Sequence, residues 1–178
     1  MIDKEKIRTN LEQVKNLIKK NKFFEAKEKC INISNYYKKN AEVINLLGII
    51  ELNLENFKSS LKYFEEAIKI KNNDPKIHNN LGILCYKIGK IENAINCFNK
   101  AIEIDKTLIN PYENLAKIKL SQKNYKEAKI NFKKVLEINP KNLESLYSLS
   151  DILLIEKKYL EAEKIVKKII ELKPDHFA

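Results

Sequence analysis

The chain has little of what cross-links or ligates. Its three cysteines, Cys30, Cys85 and Cys97, are odd in number and far apart, with no CxxC spacing and only His78 and His176 to join them. That excludes a disulfide framework and a zinc site as expectations, so no metal and no cofactor is expected. Arginine is nearly absent: Arg8 is the only one. Glycine and proline are scarce, three and four residues, too few for a chain rich in turns. No apolar run approaches the length that spans a bilayer, and the N-terminus, MIDKEKIRTNLEQVKNLIKK, has charges throughout and no apolar h-region. No membrane insertion is expected, and a cytoplasmic location is.

What is present points to helices. A length of 178 residues suits one domain with a continuous core, expected over 1–178. Apolar residues at 44% exceed what a disordered chain carries, and the charged third of the sequence falls at helical spacing between Leu, Ile and Ala. The net charge of +10 raises the question of nucleic acid. Almost all of it is lysine, however, whereas arginine is the residue that reads phosphates and bases bidentately. The lysines therefore read as a solvated surface, and nucleic acid is not the expected partner.

Comparing the sequence with itself reveals a step of 34 residues. Leu47-Gly48 recurs as Leu81-Gly82, then as Leu115-Ala116 and Leu149-Ser150. Phe64, Phe98 and Phe132 keep the same step and Val166 follows them. Ala94, Ala128 and Ala162 form a third series that begins at Ser60 and reaches back to Ala26. The units run 41–74, 75–108, 109–142 and 143–176 without insertion, with a divergent unit at 7–40 that shares Phe23, Ala26 and Ile33 but has Gln13-Val14 in place of Leu-Gly.

Inside a unit the apolar residues recur at helical spacing, as in Ile44, Leu47, Ile50 and Leu54, then Leu61, Phe64, Ala67 and Ile68. Short polar breaks at Glu55-Asn56, Gly89-Lys90, Lys123-Asn124 and Lys157-Lys158 leave room only for a helix-turn-helix. Asp74 before Pro75 and Asn110 before Pro111 read as N-caps followed by proline, and Asn142 as a third cap. Pro140 and Pro174 follow helix ends. Ten helices in five antiparallel pairs are expected. A pair alone buries only part of its apolar surface, so the pairs must stack into a solenoid.

The pattern resembles the tetratricopeptide repeat family, whose signature is W-x2-L-G-x2-Y, then A-x3-F, then A and P. In HNNLGILCYKIGKIENAINCFNKAIEID, Leu81, Gly82, Ala94, Phe98 and Ala101 stand in family positions and His78 replaces the Trp. Glu51 and Lys119 depart from the family's Tyr. The resemblance implies an all-α, right-handed superhelical solenoid of antiparallel helix pairs, whose first helices line a concave groove that binds a peptide or partner protein. Carried over position by position, that face comprises Asn45, Leu46, Ile49 and Leu52 in the second unit and Lys76, Asn79, Asn80, Ile83 and Tyr86 in the third. The fourth unit supplies Asn110, Glu113, Asn114, Lys117 and Leu120, and the fifth Tyr147, Ser148, Asp151 and Leu154. Asn80 and Asn114 offer a donor and an acceptor each to an extended backbone. The Lys and Asn clamp that grips chaperone carboxylates in one family subgroup finds only isolated matches here.

No catalytic constellation emerges. Glu65-Glu66 are adjacent on a helix and point apart, and HExxH, GxxxxGK[ST] and GxSxG are all missing. Cys30 and Cys85 fall on core positions, and His78 reads as packing with a satisfied polar edge. The expectation is an adaptor or scaffold without catalysis. At the C-terminal end, Ile165, Val166, Ile169, Ile170 and Leu172 crowd the last helix, more than one partner helix covers. The fifth unit is accordingly expected to self-associate into a homo-oligomer or to continue into a longer chain.

Overall fold

The computed structural model describes residues 4–37 and 39–173, so Pro174, His176 and the end of the fifth unit lie outside the described residues. Among the described residues there are ten helices: α1 (Lys4–Lys19), α2 (Phe23–Tyr36), α3 (Ala41–Asn53), α4 (Phe57–Ile70), α5 (Pro75–Lys87), α6 (Ile91–Ile104), α7 (Ile109–Ser121), α8 (Tyr125–Ile138), α9 (Leu143–Ile155) and α10 (Tyr159–Leu172). The fold is an all-α solenoid of helix pairs. The residues up to Ile104 form one compact unit and those from Asp105 onward a second.

Each first helix ends in the same way. Asn21, Glu55, Gly89, Lys123 and Lys157, one repeat apart, all take positive φ between 56° and 77°. The next residue's N–H donates to the carbonyl five residues back, as Asn56 to Glu51 at 2.9 Å and Lys90 to Cys85 at 2.8 Å. This is the left-handed helix stop, and three residues separate the two helices of each pair. Glycine suits it best, yet only Gly89 is glycine.

Helix starts vary more. Asp74 Oδ1 accepts from the Lys76 N–H at 3.0 Å with Pro75 opening the helix, and Asn142 Oδ1 accepts from the Ser145 N–H at 2.8 Å. Asn40, which the sequence did not single out, caps α3 by accepting from Glu42 and Val43. Asn110 is not a cap: α7 begins at Ile109, so Asn110 and Pro111 lie inside its first turn. Proline is tolerated there because the first N–H groups of a helix have no intrahelical acceptor.

The three middle pairs each close on one aromatic ring. Phe64, Phe98 and Phe132 are fully buried, and the small residues Ser60, Ala94 and Ala128 are buried on the same second helices. Ser60 Oγ donates to the Gly48 carbonyl at 2.9 Å, tying α4 to α3 where they approach most closely. The two departures from the family's Tyr are explained by charge pairing. Glu51, 3% exposed, meets Lys27 at 2.7 Å and accepts from Asn56 Nδ2 at 2.8 Å. Lys119 pairs with Glu127 at 2.7 Å. A carboxylate buried as far as that of Glu51 is costly unless both bonds are made.

Candidate functional site

In the first compact unit the first helices α1, α3 and α5 lie side by side, with α3 touching both neighbours. Helical spacing puts Lys76, Asn80 and Ile83 on one stripe of α5, with Asn79 and Tyr86 beside it. Lys76 is exposed, Tyr86 is 44% exposed, and Asn80, Ile49 and Ile83 are half-buried. Asn80 Nδ2 donates to Asn45 Oδ1 at 3.0 Å, a bond between consecutive repeats. Asn80 is therefore partly engaged within the protein.

Four of the expected face residues in this unit are buried. Leu52 packs with Phe64 and Leu84, while Asn45 and Asn79 are each under a tenth exposed. Leu46 is likewise core, among Val43, Leu47 and Ile50. The cause is helical geometry: α1 and α5 flank α3, so a position facing outward on an isolated helix is covered in the row. Ile49 and Ile83 border the Leu52 cluster and keep one edge open.

In the second unit, α7 and α9 are linked by polar contacts. Asn142 Nδ2 donates to Glu113 Oε1 at 2.7 Å and Lys117 pairs with Glu144 at 2.7 Å. Leu120 packs against the cluster of Ala116, Ala128, Phe132 and Ile152. Asn110 and Asp151 are exposed, Tyr147 barely so, and Asn114 and Ser148 are half-buried. Leu154 is exposed at the end of α9.

The thiols are poor nucleophiles. Burial pushes Cys30 up to about 12 and Cys97 up to about 11, and raises Cys85. His78 Nε2 lies 2.8 Å from the Asn72 carbonyl, the satisfied polar edge expected of it. Among the described residues no three His, Cys, Asp or Glu side chains gather as metal ligands, and no helix is long and apolar enough to cross a membrane.

Of the C-terminal apolar set, Ile169 is buried and Ile165 packs against Leu149, Leu153 and Ala162. Val166 and Leu172 are half-buried, and Ile170 is 42% exposed. Sequence reasoning missed Ile155, Tyr159 and Leu160, all well exposed. The repeat register held the signal for Tyr159, which stands one period after the packed Tyr125. A cleft of about 310 Å³ that also went unnoticed is lined by Lys129, Lys133, Leu149, Leu153, Lys158, Glu161, Lys164 and Ile165.

Three tetratricopeptide repeat models match the sequence, over residues 41–74, 75–108 and 119–178. The chain belongs to the tetratricopeptide repeat family. Two of the matches coincide with units read from the 34-residue step. No curated protein matches the sequence. Among solved structures, MamA from Desulfovibrio magneticus RS-1 is 14% identical with a TM-score of 0.73, covering 96% of this chain and 97% of its own. PilF of Pseudomonas aeruginosa is 18% identical with a TM-score of 0.83, covering 92% of this chain and 75% of its own. YrrB, described as a tetratricopeptide repeat protein with an unusual peptide-binding site, is 17% identical with a TM-score of 0.64, covering 94% and 86%. At these identities the likeness shows the repeat fold.

Proposed function

We propose that this protein is a non-enzymatic adaptor that holds an extended peptide, or an extended segment of a partner protein, against the faces of its first helices. Family membership supports a protein-interaction role, and YrrB is a protein of the same fold with a peptide-binding site. The observation that carries the reading is the face of α3 and α5. There Ile49, Ile83 and Tyr86 keep apolar surface open beside the Asn80 amide and the Lys76 ammonium. Apolar surface with a few convergent polar groups is the composition of a ligand site. An extended peptide would lay alternate side chains against the apolar residues and its backbone against the amide.

The second unit carries a first-helix face of its own, with Asn110, Asn114, Leu120, Tyr147 and Asp151, where Glu113 and Lys117 are held by Asn142 and Glu144. The test begins with a peptide library selected on the full chain. Affinity of a selected peptide is then compared by calorimetry in wild type, in Tyr86→Ala with Lys76→Glu, and in an outer-helix control, Lys62→Glu with Lys134→Glu. The face variant is expected to lose about tenfold or more and the control little, because exposed charges contribute little in ordinary salt. Equal binding by the face variant with loss in the control refutes the placement. Asn80→Ala is a poorer probe, since it also removes the donor that Asn45 uses.

A further inference from the structure

Within the second compact unit, α9 packs on both α8 and α10, and the cleft of about 310 Å³ takes its lining from all three helices. Leu149 and Leu153, one turn apart on α9, form its buried floor, and Ile165 of α10 stands half-buried beside them. The first step of the repeat shows what closes the same place elsewhere. There Lys27 crosses to Glu51 at 2.7 Å, and Tyr63 packs over the cluster that holds Leu47 and Ile50. The last step changes both. Leu153 stands in register with Glu51 and offers no carboxylate, so Lys129 reaches past it to Glu156 at the end of α9. Ile165, smaller than a tyrosine, stands in register with Tyr63. The result is a recess floored with aliphatic carbon and rimmed with cations.

The charge of the rim is particular to this step. Four lysines, Lys129, Lys133, Lys158 and Lys164, line the cleft against one carboxylate, Glu161. The same registers hold Lys27, Lys62 and Glu51 at the first step, Lys90 and Glu65 at the second, and Lys119 and Glu127 at the third. The positive excess is three at the cleft and one or none at the earlier steps, so it is not the lysine-rich composition repeated. Nor is it neutralised in place. Glu156 is shared between Lys129 and Lys158, the latter at 3.0 Å, while Lys133 and Lys164 pair with no carboxylate among the described residues.

An occupant has to bring aliphatic carbon for the recess and negative charge for the rim. An inorganic anion or a nucleic-acid backbone brings only the charge, and the cleft has no arginine to grip phosphate bidentately. A peptide segment with carboxylates on either side of an apolar side chain brings both. In an extended segment the residues two before and two after that side chain share its face, and a lysine ammonium, being a compact point charge, accepts a carboxylate from many directions.

We propose that the cleft between α8 and α10 docks an acidic segment of a partner protein, with an apolar side chain seated against Ile165 over Leu149 and Leu153 and its flanking carboxylates paired with Lys133 and Lys164. The site is separate from the face of α3 and α5 and does not depend on it. The test is fluorescence anisotropy of the labelled peptide Glu-Glu-Leu-Glu-Glu titrated with the full chain. Saturable binding is expected, weakened by more than about tenfold when the peptide's Leu is replaced by Ser. Lys133→Glu plus Lys164→Glu is expected to weaken it by more than about tenfold with helical circular dichroism intact, and Lys133→Gln plus Lys164→Gln reads the same contacts if the reversal costs helicity. Lys58→Glu plus Lys62→Glu, which changes net charge equally on α4, is expected to bind as wild type does, and so is Tyr86→Ala plus Lys76→Glu. No binding at the highest attainable concentration overturns the proposal. So does equal binding of the Ser peptide, indifference to both changes at Lys133 and Lys164, or an equal loss in either control. A short DNA duplex or an anionic phospholipid vesicle that binds through Lys133 and Lys164 more tightly than the peptide also overturns it.

Discussion

Gly82→Leu probes the closest packing in the repeat. A Cβ at Gly82 would stand 2.6 Å from Phe98 Cε1 and 2.8 Å from Cδ1, inside any real carbon–carbon contact. The Phe98 ring is 1% exposed and cannot swing aside, so the two helices must separate. The fourth repeat shows how far they give: Ala116 occupies the same register opposite Phe132, and both are buried. Gly82→Ala is thus expected within about 1 kcal/mol of wild type, the strain of one methyl being set against the roughly 0.8–1.0 kcal/mol by which alanine outranks glycine in a helix. Leucine adds three further carbons where no space exists, at a cost of about 1–3 kcal/mol. For a chain of this length that lowers Tm by roughly 2–12 °C. Thermal unfolding followed by helical circular dichroism reads it, and Phe98→Leu in the Gly82→Leu background is expected to restore part of the loss by making room. A Gly82→Leu protein that melts with wild type, or a Gly82→Ala protein as impaired as the leucine variant, refutes the packing argument.

Four non-glycine residues sit at the left-handed helix stop, so Lys123→Gly is expected to stabilise by roughly 0.5–1 kcal/mol, the left-handed penalty less glycine's extra entropy. Gly89→Ala is expected to lose a similar amount in denaturant melts; its Cβ would meet nothing within 4 Å, so only the backbone conformation is at issue. At Asp74, burial opposes the carboxylate, but Lys71, the Lys76 N–H and the Lys76 charge outweigh it and hold the pKa below its usual value. A lowered folded pKa means stability present above the ordinary aspartate range near pH 4 and lost as pH falls through the folded value. Asp74→Ala is expected to cost about 1 kcal/mol at neutral pH, with the two melting curves converging in acid. Ser145 Oγ is buried without a hydrogen-bond partner, so Ser145→Ala is expected to be neutral or to stabilise by up to about 1 kcal/mol, read from the shift in denaturant midpoint.

Much of the fold was legible because a repeat reports its geometry several times. Leu-Gly, Ala and Phe at constant spacing revealed the helix pairs, and polar dipeptides located the turns, though not that Glu55, Lys123 and Lys157 would adopt a conformation suited to glycine. The start of α7 was misread because Asn-Pro is a cap signal only when the asparagine lies outside the helix, and here Leu108 holds that place. The face was harder to read. A single helix does not say which outward positions its neighbours will cover, so Asn45, Leu46 and Leu52 of α3 read as surface although α1 and α5 flank that helix. Nor did the sequence show that Asn80 would spend a donor on Asn45, 35 residues away. At the other end, counting apolar residues on the last helix included the buried Ile169. Comparing registers across repeats finds Tyr159 and Ile170 directly, because their equivalents one period earlier are packed.

Chemical-shift mapping tests the adaptor reading most directly. A peptide selected on the full chain is titrated into isotope-labelled protein and the perturbed amides are assigned. The largest changes are expected on α3 and α5, around Ile49, Asn80, Ile83 and Tyr86, and Tyr86→Ala is expected to remove them. Changes confined to the second helices α4 and α6, with α3 and α5 silent, contradict the adaptor reading.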